Sequence, residues 1–127
     1  MKKRILVVDD SAAILDVVKL ALEMADCEVS TSLTGACFQH VEHNLPDLIL
    51  LDVLLSGEDG SEICQRLKSN KQTRHIPVIL LSAHAGLWET AERCGANDFL
   101  AKPFRLSALR EVVKRYLSQP SVTLFSP

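Results

Sequence analysis

The stretch ILVVDDS, residues 5–11, decides the fold: four aliphatic residues in a row, then two aspartates and a serine. A strand with one face in water alternates apolar and polar residues. An unbroken aliphatic run instead suits a strand buried on both faces of a parallel sheet. Two further runs share this form, Leu48-Ile49-Leu50-Leu51 and Val78-Ile79-Leu80-Leu81. CEVSTS (27–32) and DFLA (98–101) are weaker strand candidates, nearer an edge.

Segments of helical spacing lie between these runs. Ile14, Val17, Val18 and Ala21 make one apolar stripe, with Asp10 or Ser11 as its cap. Leu106, Leu109, Val112, Val113, Tyr116 and Leu117 make another, with Arg110, Glu111, Lys114 and Arg115 on the far side. Ile63 and Leu67 anchor a shorter helix after Gly60, and residues 35–44 and 86–94 complete the set. Five strands alternating with five helices predict an α/β fold, a doubly wound parallel sheet covered on both faces.

Composition agrees with one domain. The chain has 127 residues, 47% hydrophobic and 24% charged, close to the globular average. Its net charge of −2 gives no electrostatic reason to expect nucleic-acid binding. No apolar run reaches the ~18 residues of a membrane span, and MKKR is followed by too short an apolar run for a signal peptide. The expected location is the cytoplasm. Cys27, Cys37, Cys64 and Cys94 form no CxxC pair and read as ordinary buried thiols. His40 and His43 read as a solvated pair and His75 as a surface residue, while Trp88 suits either a packed position or a partner surface.

Ligands of open parallel sheets bind outside the carboxyl ends of the strands. Asp9 and Asp10 follow the first strand, Asp52 ends the third, Ser82 ends the fourth and Lys102 follows the fifth. Three carboxylates at one rim repel unless a cation shares them, and Mg²⁺ is the natural one for hard oxygen ligands. With an ammonium and a hydroxyl beside it, such a site has the positioning and charge neutralisation that phosphoryl transfer needs.

The stretches ILVVDDS (5–11), DLILLDVLLSGEDG (47–60), PVILLSAHA (77–85) and GANDFLAKPF (95–104) resemble response-regulator receiver domains of two-component signalling. The resemblance runs from Lys3 to about Leu117. It implies a receiver domain over residues 1–118, with 119–127 a flexible C-terminal tail or the start of a linker. It also implies the flavodoxin-like strand order 2-1-3-4-5.

Roles follow from the same resemblance. Asp52 would accept a phosphoryl group from a histidine kinase or a histidine phosphotransfer protein. Asp10, Asp52 and the Leu54 backbone carbonyl would bind Mg²⁺, with Asp9 acting through water. Lys102 and the Ala83 N–H would contact the phosphoryl oxygens, and a cis peptide would precede Pro103. Ser82 and Phe99 would form the switch. Residues 86–117 would then present an altered surface to a downstream protein or a second copy.

Such a chain is a phosphoacceptor that promotes its own phosphorylation and dephosphorylation, not a turnover enzyme. The alternatives are a phosphate-independent adaptor and an aspartate-nucleophile phosphatase; the latter wants DxD after the first strand, which Asp9-Asp10-Ser11 does not supply. Several departures from the family pattern stand out. Ser56 replaces a usual proline, Phe99 lacks the common tyrosine hydroxyl, and Arg105 opens a helix where an acid would suit the dipole better. His84 and Leu54 border the expected path of the hydrolytic water and bear on the dephosphorylation rate.

Overall fold

The computed structural model describes residues 2–83 and 86–118, so the predicted tail 119–127 and His84 lie outside the described residues. Strands β1 (Arg4–Val8), β2 (Glu28–Ser32), β3 (Leu48–Asp52), β4 (Val78–Ser82) and β5 (Asp98–Ala101) form one sheet. Every pairing in it is parallel, and the spatial order is β2-β1-β3-β4-β5. This is the expected flavodoxin-like order. The chain runs from β1 outward to β2 and then returns to β3 on the other side, so a crevice opens between the carboxyl ends of β1 and β3.

The aliphatic runs are continuous because both faces of the sheet are covered. Leu48 and Leu50 of β3, with Ile79 and Leu81 of β4, pack with α1 (Ala12–Met24) and α4 (Leu106–Leu117). Ile49, Leu51, Val78 and Leu80 point the other way, into a core shared with α2 (Gly60–Ser69) and α3 (Leu87–Cys94). All eight of these side chains are inaccessible to solvent. Each contributes roughly 1.5–3 kcal/mol of burial, before the entropy of ordering the chain is subtracted.

Two helical expectations need correction. The helix expected over 35–44 is a 3₁₀ segment, Gly35–His43, and His40 within it leaves helical geometry at φ −127° and ψ 17°. Only Gly35 and Val41 of this segment are buried, so packing enforces no α-helical repeat on so short a stretch. In α1 the buried residues are Leu15, Val18, Ala21 and Leu22, whereas Ile14 is half-buried and Val17 is 50% exposed. This helix is apolar nearly all round, so spacing alone selects no face. Leu20 and Met24 join Val17 on the exposed side.

The N-cap of α1 is Ser11, whose Oγ accepts the Ile14 N–H at 3.3 Å. In α4, Leu109, Val112 and Val113 are buried and Leu106 is 37% exposed, and Arg105 caps its start without a side-chain hydrogen bond. Cys27, Cys64 and Cys94 are buried and Cys37 is half-buried; Trp88 is 57% exposed. Among the described residues no helix is long and apolar enough to cross a membrane.

Candidate functional site

The five polar residues anticipated at strand ends meet at the crevice. Asp9 follows β1, and its backbone N–H donates to the Ser32 carbonyl at 3.1 Å, which extends the ladder one residue past the strand. The Asp9 side chain is wholly buried. Its Oδ1 accepts the Ser11 N–H at 2.9 Å and its Oδ2 accepts from Lys102 Nζ at 2.7 Å. A buried carboxylate needs such partners, and here both oxygens have one.

Asp52 closes β3, with Val53 N–H bonded to the Leu81 carbonyl at 3.0 Å beyond it. Its Oδ1 accepts the Leu54 N–H at 3.1 Å, and its Oδ2 lies 3.3 Å from Lys102 Nζ. Asp10 turns outward and is exposed, and its Oδ2 accepts the Ser56 hydroxyl at 3.1 Å. One oxygen from each of Asp9, Asp10 and Asp52 lies within 4.8 Å of the others.

The backbone of β4 and β5 presents the remaining groups. Lys102 N–H donates to the Ser82 carbonyl at 2.9 Å, so the lysine is fixed at the strand junction while its side chain crosses to the acids. The Lys102–Pro103 peptide is cis. Ser82 is buried at the end of β4, paired in register with Ala101, and Ala83 beside it is exposed. Phe99 is half-buried, sits opposite Leu80, and packs with the α2/α3 core. Strand alternation places Ser82, two residues after Leu80, on that same face, so the hydroxyl and the ring are diagonal neighbours.

Electrostatics follow from this geometry. Burial pushes the Asp52 carboxyl above the ordinary carboxylate value and the Asp9 charge adds to the rise, against the Leu54 N–H and Lys102, which pull it down. Burial alone would lower the Lys102 ammonium, but its hydrogen bonds and charge contacts with Asp9 and Asp52 outweigh that and raise it. Among the described residues the donor set is all oxygen, with no thiolate or imidazole in the cluster. Such a set suits a hard cation, and the exposed Asp10 leaves room for the waters Mg²⁺ retains.

Three neighbours make contacts that the sequence does not announce. Ser56 supplies the hydroxyl to Asp10. Glu58 Oε1 accepts the Gly35 N–H at 2.8 Å, which ties the loop after Asp52 to the 3₁₀ segment. Gly60 opens α2 against the strand itself: its N–H donates to Val53 O at 2.7 Å, and a Cβ there would overlap the Asp52 carbonyl oxygen. The SGEDG run marks a turn before a helix, which is the signal for Gly60. No spacing rule would have found the contact between Glu58 and Gly35.

Beside Lys102 an apolar groove of about 510 Å³ is lined by Ala13, Ile14, Val17, Ala83, Pro103 and Phe104. On the opposite side Phe99 shares a shallow groove with Trp88, Ala91 and Glu92.

Known proteins place this arrangement. The chain is 42% identical over 106 residues to the response regulator PleD of Caulobacter vibrioides, covering 81% of this chain and 23% of that protein. It is 38% identical over 117 residues to the DNA-binding transcriptional regulator RpaA of Synechocystis, covering 90% of this chain and 48% of that one. The chain thus spans about a quarter to a half of the length of these curated relatives. Among solved structures, the receiver domain of the sensor histidine kinase PA1611 from Pseudomonas aeruginosa, with magnesium in its active-site cleft, superposes with a TM-score of 0.84 at 27% identity. That match covers 94% of this chain and all of that one. The response regulator receiver domain family matches residues 5–114, nearly the whole described sheet and its helices, and this chain belongs to that family.

Proposed function

We propose that this chain is a phosphorylatable receiver in which Asp52 takes a phosphoryl group from a phosphohistidine of a histidine kinase or phosphotransfer protein. The observation that supports this best is the placing of Asp52. It is buried at the crevice, with Lys102 Nζ 3.3 Å from one oxygen and Asp9 and Asp10 within 4.8 Å. The functional unit in this reading is 1–118.

In the transfer, an Asp52 carboxylate oxygen attacks phosphorus, a P–O bond forms as the P–N bond of phosphohistidine breaks, and the departing imidazole takes a proton from solvent. Mg²⁺, held by Asp10, Asp52 and the Leu54 carbonyl with Asp9 through water, would neutralise charge on the phosphoryl oxygens. Asp52 needs no base, because at neutral pH a carboxylate is already the nucleophile. Lys102 leaves Asp52 Oδ2 and pairs with a phosphoryl oxygen. The Ala83 N–H and Ser82 hydroxyl donate to the other oxygens. The apolar groove beside Lys102 gives the donor protein a surface to rest on while its phosphohistidine enters.

Phosphorylation adds roughly two negative charges at the ends of β4 and β5. Drawing Ser82 toward them vacates space on the face it shares with Phe99, and the ring moves into it. Because Phe99 lines one groove with Trp88, the change reaches the surface of α3, β5 and α4, where a downstream protein or a second copy docks. The phosphoryl group stabilises one of two packings, and the population shifts by that difference in contact.

Incubation with acetyl phosphate and Mg²⁺ tests the acceptor. Label should appear on the parent chain and be absent from Asp52→Asn, whose amide is a poor nucleophile. Undiminished label on the variant would put the acceptor elsewhere. No label on the parent would favour the phosphate-independent adaptor.

A further inference from the structure

The loop after Asp52 is built as a short antiparallel hairpin, with Leu54 paired to Asp59 and Leu55 to Glu58. Its two-residue turn is Ser56-Gly57. Gly57 has φ +75°, whereas Ser56 is not among the positive-φ residues. A negative φ followed by a glycine at positive φ matches the φ pattern of a type II turn, whose first central position favours proline. A proline would therefore suit the backbone at residue 56. The serine's difference lies in its hydroxyl.

That hydroxyl is presented by a firmly held support. The Leu54 N–H is bonded to Asp52 Oδ1, Gly60 N–H closes onto the Val53 carbonyl at 2.7 Å, and Glu58 Oε1 takes the Gly35 N–H. At the tip, Ser56 Oγ donates to Asp10 Oδ2 at 3.1 Å. Asp10 is the one member of the acidic trio that is exposed. Asp9 and Asp52 are fixed by Lys102 and backbone N–H groups, and Asp10 has Ser56.

We propose that Ser56 is a positioning residue for cation binding, which holds the Asp10 carboxylate against the site and offers a cation its other oxygen. This rests on the reading that the acidic trio binds Mg²⁺. A carboxylate with one oxygen engaged by a hydroxyl favours single-oxygen ligation. That suits octahedral Mg²⁺ with its retained waters better than Ca²⁺, which accepts two-oxygen ligation and more ligands. The loop therefore tunes both affinity and the choice between the two ions.

The test is titration of the parent chain and of Ser56→Ala, Ser56→Pro and Ser56→Thr with Mg²⁺ and separately with Ca²⁺, without phosphodonor, read by amide chemical shifts. Alanine and proline should each weaken Mg²⁺ roughly three- to tenfold, the range that the net worth of one ordinary hydrogen bond spans. Both should weaken Ca²⁺ less, and threonine should restore the parent's Mg²⁺ affinity. Proline keeps the turn without the hydroxyl, so parent-like Mg²⁺ binding by Ser56→Pro would overturn the proposal in favour of turn rigidity. Parent-like binding by Ser56→Ala, or equal losses of both ions, would overturn it as well. Failure of the underlying reading looks different: the parent itself would show no response to Mg²⁺ around Asp9, Asp10 and Asp52, and the proposal would fall with it.

Discussion

The carboxyl rim of the sheet has two chemically unlike halves. Strands β1 and β3 deliver Asp9, Asp10 and Asp52, while β4 and β5 deliver the Ser82 hydroxyl and the Lys102 ammonium. Lys102 spans the divide, 2.7 Å from Asp9 and 3.3 Å from Asp52. The inequality is informative. Each carboxylate has one backbone N–H and Lys102 on its two oxygens, but Asp9 takes the shorter ion pair and Asp52 the longer one. The acidic half is thus a fixed charge in which both oxygens of Asp9 and of Asp52 have partners, with Asp10 the exposed carboxylate. In the proposed reading, the other half is the part that shifts when new charge arrives.

Neutralising the bridge gives the largest expected effect on this contrast. Lys102→Met keeps most of the stem and removes the charge. Labelling by acetyl phosphate should fall on the order of 100-fold, the typical loss when a preorganised charge-stabilising donor is removed. A loss below about threefold, well short of that, would mean that the acidic half works alone.

The fixity of the acidic half can be broken at Gly60. Gly60→Ala puts a Cβ against the Asp52 carbonyl oxygen, and the backbone must yield. Urea unfolding should show a loss of about 2–3 kcal/mol, as for other overpacked sites. A change within about 0.5 kcal/mol would show that α2 adjusts freely and that Asp52 is not held from below.

A smaller effect tests the burial of Asp52 by pH. Burial raises Asp52's folded pKa, so its ionisation opposes folding above that value. Asp52→Asn should stabilise the metal-free chain at neutral pH. The gain should shrink as pH falls through the raised folded value and vanish below the ordinary carboxylate range, where the parent is protonated in both states. A gain that grows toward acid would reverse the sign of the account. The raised Lys102 behaves oppositely. Its contribution holds below its ordinary value and is lost only as pH rises through the folded one.

The smallest effect probes the half that carries the Ser82 hydroxyl. Ser82→Ala should leave labelling of Asp52 largely intact but reduce the response of residues 86–117 to beryllofluoride. Trp88, the chain's one tryptophan, reports this by fluorescence from the groove it shares with Phe99. A full Trp88 response in the alanine variant would remove Ser82 from the coupling.

How much of this could be read beforehand depended on whether the cause was local. The aliphatic runs 5–8, 48–51 and 78–81 announced buried parallel strands, because only enclosure on both faces tolerates them. The positions of Asp9, Asp10, Asp52, Ser82 and Lys102 at strand ends followed from those runs. The buried face of α1 did not: with apolar residues nearly all round, the choice between Val17 and Leu15 belongs to the sheet it packs on. The 3₁₀ character of Gly35–His43 and the bond from Glu58 to Gly35 were also illegible, since both depend on residues distant in sequence. Ser56 stood out as a departure from a proline pattern, but its partner Asp10 is supplied by the fold.

The central claim is that Asp52 forms an acyl phosphate. Reductive trapping tests it most directly: the chain is incubated with acetyl phosphate and Mg²⁺, treated with borohydride, digested, and sequenced by mass spectrometry. An acyl phosphate on aspartate is reduced to homoserine, and hydroxylamine should discharge the same label. The account predicts homoserine at residue 52 and nowhere else. Label on a histidine or serine, homoserine at residue 9 or 10, or none at all would contradict it.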